Sequence, residues 1–142
     1  MRLLVITLLF NIVTANATEY ELFDAKVSVD GLCYISINKA DKNIVIQPNF
    51  SELGQCRLVT HAHTNILNIE YIAGSYLFFI ENNIDSNNIN NSHCNSEYTA
   101  IGISQELAVY TTSLIKKSGS CYQDKELVSF EYFSNKLTVL EN

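Results

Sequence analysis

The chain is expected to fold as a mostly antiparallel β-sheet with a C-terminal helix, an α+β domain stapled by disulfides. Three observations predict it. Short runs of branched and aromatic residues recur with turn residues between them. The C-terminal segment changes to helical spacing. Four cysteines, Cys33, Cys56, Cys94 and Cys121, form an even set downstream of a secretory leader.

The strands are read in chain order. Leu32-Cys33-Tyr34-Ile35-Ser36-Ile37 alternates, Ala40-Asp41-Lys42-Asn43 turns, and Ile44-Val45-Ile46 follows until Pro48, which has no N–H for a ladder. Residues 31–47 therefore read as a hairpin. A second run comprises Gln55 to Thr60, Asn65 to Ile72, a turn at Ala73-Gly74-Ser75, and the aromatic-rich Tyr76 to Ile80. It is the expected centre of the sheet, because such residues suit a half-buried pleated surface. The stretch NNIDSNNINNSHCN, Asn82 to Asn95, reads as a polar loop, and Tyr98 to Ile103 as strand.

Leu107 to Ile115 carries mixed signals. Ser104 can cap a helix with Glu106 in its first turn, Lys116 and Lys117 in its last, and Gly119 beyond. Val109, Tyr110, Thr111 and Thr112 favour strand, and strand is preferred because Gln105-Glu106 then joins a hairpin. In the last segment Asp124 is the expected N-cap. Leu127, Phe130, Phe133 or Ser134, Leu137 and Leu140 recur at helical spacing, although Val128, Phe130 and Tyr132 also alternate.

Compartment follows from the first residues. Met1-Arg2 is a short positive start, Leu3 to Val13 is nearly all apolar, and Ala15-Asn16-Ala17 is the small-x-small pattern of a cleavage site. Residues 1–17 are thus expected to be a signal peptide, with 18–142 as a single compact domain in the periplasm or secreted medium. The apolar run is short for a bilayer span, and no later segment reads as one.

Export implies oxidised cysteines. The pairing expected is sequential, Cys33 with Cys56 and Cys94 with Cys121. Each bridge closes a loop of a little over twenty residues, for which chain entropy contributes roughly 3 kcal/mol. No CxxC spacing suggests a zinc site or a redox motif.

Charge narrows the partners. Removal of residues 1–17 leaves eight bases against fifteen acids, a formal charge of −7. Such a domain repels nucleic acid and anionic lipid and suits either a basic partner or simple solubility. Asn49-Phe50-Ser51 and Asn90-Asn91-Ser92 are glycosylation sequons, meaningful only in a eukaryotic source.

The chemistry-bearing stretch is Thr60-His61-Ala62-His63-Thr64. If extended, it points His61 and His63 to one face, the geometry of a two-histidine metal site. His93 in the Asn-rich loop is the one further histidine, and Glu70 or Glu81 could complete a ligand set. The simpler reading, adopted here, is a polar bend between Val59 and Ile66. No GxSxG elbow or Gly-rich phosphate loop occurs. Ser51, Ser104 and Ser118 show no adjacent base, and the spaced acids do not mark a carboxylate pair.

Lys116 to Asp124, KKSGSCYQD, is the other distinctive stretch: two lysines on an acidic chain, then a turn pinned by a cysteine. Turn and cap chemistry accounts for it. As a functional surface it would be a rigid loop meeting a partner, with Lys116, Lys117, Tyr122, Tyr98 and Tyr110 as contact candidates, since tyrosine provides large contact area for few lost rotamers.

The expected function is a small non-catalytic binding protein of inhibitor or immunity type, engaging a basic protein. In a bacterium the target would be a hydrolase such as a lysozyme or cell-wall amidase. No cofactor, nucleic acid or membrane contact after leader cleavage is expected. The alternatives are a secreted His-dependent or zinc enzyme using His61 and His63, and a structural or surface module.

Overall fold

The computed structural model describes residues 18–84, 94–119 and 123–140. The expected leader, residues 1–17, the second sequon, and His93, Cys121 and Tyr122 lie outside these residues.

Among the described residues eleven strands and one helix follow in order: β1 (Tyr20–Leu22), β2 (Ala25–Val29), β3 (Ile35–Lys39), β4 (Lys42–Ile46), β5 (Gln55–Leu58), β6 (Ile69–Ile72), β7 (Ser75–Asn83), β8 (Ser96–Ser104), β9 (Val109–Thr111), β10 (Lys116–Ser118), α1 (Leu127–Ser134) and β11 (Thr138–Val139). Every pairing is antiparallel. β1 to β4 form a meander, β1-β2-β3-β4. The second sheet is built on the nine-residue β7–β8 pair. β6 and β5 lie end to end on the outer side of β7, β9 and β10 end to end on the outer side of β8, and β11 borders β9.

Alternation on β7 and β8 creates three layers. Phe78, Ile80, Ile101 and Ile103 join Val27, Ile35 and Ile37 of the meander in one core. Leu77, Phe79, Tyr98 and Ala100 point the other way and meet Phe130 and Phe133 of α1. With both faces covered, these central strands show the continuous apolar run usual for strands buried on two sides. The Cys33–Cys56 disulfide, Cα atoms 5.1 Å apart, ties the entry to β3 to β5 and so links the two sheets. Cys94 is also disulfide-bonded.

Local chemistry sets the turns. Phe23 and Asp24 both have positive φ, 50° and 61°, as a two-residue hairpin of the mirror-image type requires. Phe23 is not a usual residue there, but its ring stacks on Tyr76 at 4.7 Å. Ala73 and Gly74, at φ 51° and 84°, make the same kind of turn between β6 and β7. Gly54 answers to a close approach instead: a Cβ there would meet the carbonyl oxygen of Asn83 at 2.0 Å. The loop around it is clasped from below. Gly54 N–H donates to Asn82 Oδ1 at 2.9 Å, Asn82 Nδ2 donates to Glu52 O at 2.6 Å, and buried Glu97 accepts from Ser51 N–H and Oγ at 2.8 and 2.6 Å.

A hairpin within 31–47 and the aromatic central strand form as the sequence predicts, but the first hairpin strand begins at Ile35, not Leu32, because Asp30 to Tyr34 makes a turn with Cys33 at φ 66°. Other boundaries differ. The strand read over Asn65 to Ile72 is confined to Ile69–Ile72, and Asn82 and Asn83, read as the start of a polar loop, are the buried end of β7. β1 and β2 precede the first strand read from sequence. The 107–117 region is strand only at Val109–Thr111 and Lys116–Ser118, with a break between. The helix spans Leu127–Ser134 alone: its N-cap is Glu126, without a side-chain cap bond, and Leu137 and Leu140 lie beyond its end. Thr138 and Val139 are β-branched and pair with Thr111 and Tyr110 instead, so tertiary pairing overrides the helical spacing.

Candidate functional site

The helix-side face of the central sheet carries a row of charge. Cross-strand register aligns Arg57 of β5, Glu81 of β7, Tyr98 of β8 and Lys116 of β10. The Glu81 side chain is fully buried. Its Oε2 accepts from Lys125 Nζ at 3.1 Å and its Oε1 from an Arg57 guanidinium nitrogen at 3.5 Å. Lys125, whose side chain is only 7 % exposed, also lies 4.2 Å above the Tyr98 ring. Burial pushes the Tyr98 phenol above its ordinary pKa, against a hydrogen bond with Ser129 that lowers it. Lys116 Nζ stacks 3.7 Å over Tyr132 of α1. These contacts join the helix and its lead-in to the sheet through groups far apart in sequence.

Several contact candidates are thereby accounted for. Tyr98 is 8 % exposed, a core residue and not a surface anchor, because the helix covers its strand face. Lys116 and Tyr110 are half-buried, and Lys117 is exposed. The structure brings Tyr98 and Lys116 together across β8 and β10, but as parts of the packing under α1.

Thr60 to Thr64 forms a turn, not an extended strand: Thr64 N–H bonds His61 O at 3.3 Å, and Thr60 bridges to Leu67. His61 and His63 are therefore not held as an alternating pair on one strand face, and His63 is exposed. Among the described residues no three His, Cys, Asp or Glu side chains are grouped to hold a metal ion. His61 has a partner the sequence did not reveal. Its Nδ1 lies 2.8 Å from Asp124 Oδ2, so the residue read as a helix cap instead pins the THAHT turn to the helix lead-in. Lys125 N–H donates to Asn68 Oδ1 at 3.0 Å and reinforces the same junction. A carboxylate-oriented imidazole is also a component of general-base chemistry.

The hydrogen bond from His61 holds the Asp124 carboxyl below the usual carboxylate range. Its folded-state pKa is thus depressed. The stability it contributes is fully present above the unfolded value of about 3.9 and is lost as pH falls through the lowered folded value. Asp124→Asn is expected to lower the thermal midpoint at pH 6 and to leave it nearly unchanged at pH 2. Melting curves at the two pH values check this, and an equal loss at both would mean that the carboxylate charge contributes nothing.

The exposed charge is mostly acidic. Among the described residues eleven acids are exposed against four bases, Lys26, Lys42, Lys117 and Lys136. The other bases are turned inward: Lys125 and Arg57 to Glu81, Lys116 to Tyr132, and Lys39 to the carbonyl of Phe23 at 2.7 Å. Exposed apolar side chains also stand out at Leu32, Tyr34 and Val45 on the outer side of the meander, and at Ile66 and Tyr71 near β6.

No protein family matches this chain, and neither a curated protein nor a solved structure shows significant similarity to it. None of the described helices is long and apolar enough to cross a membrane.

Proposed function

We propose that this chain is an exported, non-catalytic binding protein of inhibitor or immunity type, periplasmic or secreted, that engages a basic protein such as a cell-wall hydrolase. The excess of exposed acids over exposed bases is the observation that carries it. The field that a partner meets is that of a net-negative domain, presented at the surface by eleven exposed acids against four exposed bases among the described residues. Such a field speeds encounter with a cationic protein. The disulfide is compatible with an oxidising compartment.

Export is checked by intact mass. The mature chain is expected to begin at Thr18 and to take up no alkylating reagent before reduction; labelling of a native thiol would count against the reading. Partner binding is checked by capture from the native compartment followed by kinetics at two salt concentrations. The Debye length shrinks from about 10 Å at 0.1 M to about 3 Å at 1 M, so the association rate should fall by roughly an order of magnitude or more over that range, with a smaller change in dissociation. An acidic partner, or a rate independent of salt, sinks the proposal.

One observation favours a second reading. The His61–Asp124 contact gives a secreted His-dependent enzyme an oriented base. That reading requires turnover that His61→Ala abolishes and His63→Ala spares.

A further inference from the structure

The two sheets end on a common seam. β1 is the outer strand of the meander, with a neighbour only on the β2 side among the described residues. Facing it is the outer edge of the second sheet, where the chain runs from β5 through the THAHT turn to β6. Between them is a cleft of about 490 Å³, lined by Tyr20, Glu21 and Leu22 on one side and by Ile66, Leu67 and Ile69 on the other, with His61 at its wall. A second hollow of about 450 Å³ continues it along β5 and shares Tyr20 and Asn65. The Tyr20 hydroxyl donates to the Asn65 carbonyl at 3.3 Å across the junction.

Three features define what fits. First, the backbone of β1 is open. In a hairpin with a two-residue turn the flanking residues, here Leu22 and Ala25, exchange hydrogen bonds, and pairing then alternates. Glu21 therefore directs its N–H and C=O away from β2, and it makes no other backbone bond among the described residues. Second, the cleft is apolar: Leu22 and Leu67 are buried, while Ile66 stands 62 % exposed. Third, carboxylates lie in it or next to its lining residues in the chain. Glu21 lines it, Glu19 and Glu70 adjoin lining residues, and Asp124 holds His61. Of the nearby bases, Lys26 is paired with Glu19 at 3.5 Å, and Arg57, which lines the second hollow, is turned to Glu81.

We infer that this seam is a binding cleft for an extended segment of a basic protein, in which apolar side chains alternate with Lys or Arg. The segment would add to the open edge of β1, bury its apolar residues between β1 and the Ile66–Ile69 stretch, and set its cations against Glu19, Glu21 and Glu70. Strand addition combines main-chain bonds with pockets for alternate side chains, as this cleft provides. The inference rests on the basic-partner reading above and specifies the surface and the ligand chemistry.

The test titrates the purified protein with three end-blocked seven-residue peptides, observed by amide NMR shifts: one alternating lysine and valine, one alternating lysine and serine, one alternating glutamate and valine. The lysine–valine peptide is expected to give saturable shifts centred on Glu19–Leu22 and Asn65–Ile69. The lysine–serine peptide should bind at least tenfold more weakly, and the glutamate–valine peptide should not bind. Glu21→Lys combined with Ile66→Ser, both exposed positions, should weaken the lysine–valine peptide at least tenfold, with the unperturbed spectrum elsewhere showing that the fold is kept. Absence of saturation below 1 mM, shifts centred on Leu32, Tyr34 and Val45, or equal binding of the two lysine peptides would overturn the cleft. A captured basic partner whose hydrogen-exchange footprint avoids the seam would overturn the cleft and leave the binding-protein reading standing. Saturable peptide binding with no salt-sensitive protein partner would do the reverse.

Discussion

Glu81→Ala is expected to destabilise the fold by about 3–5 kcal/mol, because it breaks a buried ion pair from one side. The Glu81 side chain has no solvent exposure, and its oxygens meet Lys125 at 3.1 Å and Arg57 at 3.5 Å. Without the carboxylate, the Lys125 ammonium remains under the helix lead-in, 4.2 Å above the Tyr98 ring. A cation–π contact contributes about 2 kcal/mol when desolvated and does not replace an opposite charge. Removing the charges together should behave differently: Arg57→Met, Glu81→Met and Lys125→Met combined should regain most of the loss, since buried pairs can be exchanged for apolar groups of similar volume at little or no loss. Urea unfolding of the single and triple variants checks both outcomes. A loss below about 1 kcal/mol in Glu81→Ala, the range of exposed pairs, would mean that water reaches the carboxylate.

Phe79→Ala is expected to lose about 3–5 kcal/mol as well, by a different route. Phe79 is fully buried and its ring meets Phe130 at 4.6 Å, Phe133 at 5.5 Å and Tyr98 at 5.7 Å. It is the hub of the helix-side core. α1 has eight residues and no side-chain cap. Helices shorter than about 12–15 residues are marginal in water, so this one depends on the cavity that the substitution would open. Amide exchange should show residues 127–134 losing protection before the β7–β8 ladder does. The control is Val45→Ala, 52 % exposed on the meander, which should stay within about 0.5 kcal/mol of the parent. Uniform loss of protection throughout the domain would contradict a separately docked helix.

Local signals carried much of the architecture. Alternation and the Ala40-Asp41 turn mark β3 and β4, and the density of aromatic and branched residues marks Tyr76 to Ile80. β1 and β2 are less visible because their hairpin turns at Phe23-Asp24, without glycine or asparagine, and is held by the Phe23 ring on Tyr76 from another sheet. The alternation of Ala25, Val27 and Val29 was the available signal. The end of α1 is not legible in the sequence because Leu137 and Leu140 keep helical spacing, while the competing partner of Thr138 and Val139 lies on β9.

The candidate sites show the division more sharply. Tyr98 lies on a strand, as its neighbours in sequence indicate, but alternation says only that it faces away from Thr99. Which faces are covered depends on where α1 docks, and here both are. Asp124 is a residue type that caps helices and lies just ahead of α1, yet the N-cap is Glu126 and the Asp124 carboxylate bonds His61, 63 residues earlier. Lys125 and Glu81, 44 residues apart, pair inside the domain, so neither presents its charge to solvent. By itself the sequence determined the strand-rich class, the net charge and the cysteine set, because these follow from composition and from periods of two to four residues. Only the tertiary structure decided which charges reach solvent, which tyrosine is core and which strand edges lie open along a seam. Those properties depend on contacts between segments distant in the chain, and no local pattern encodes them.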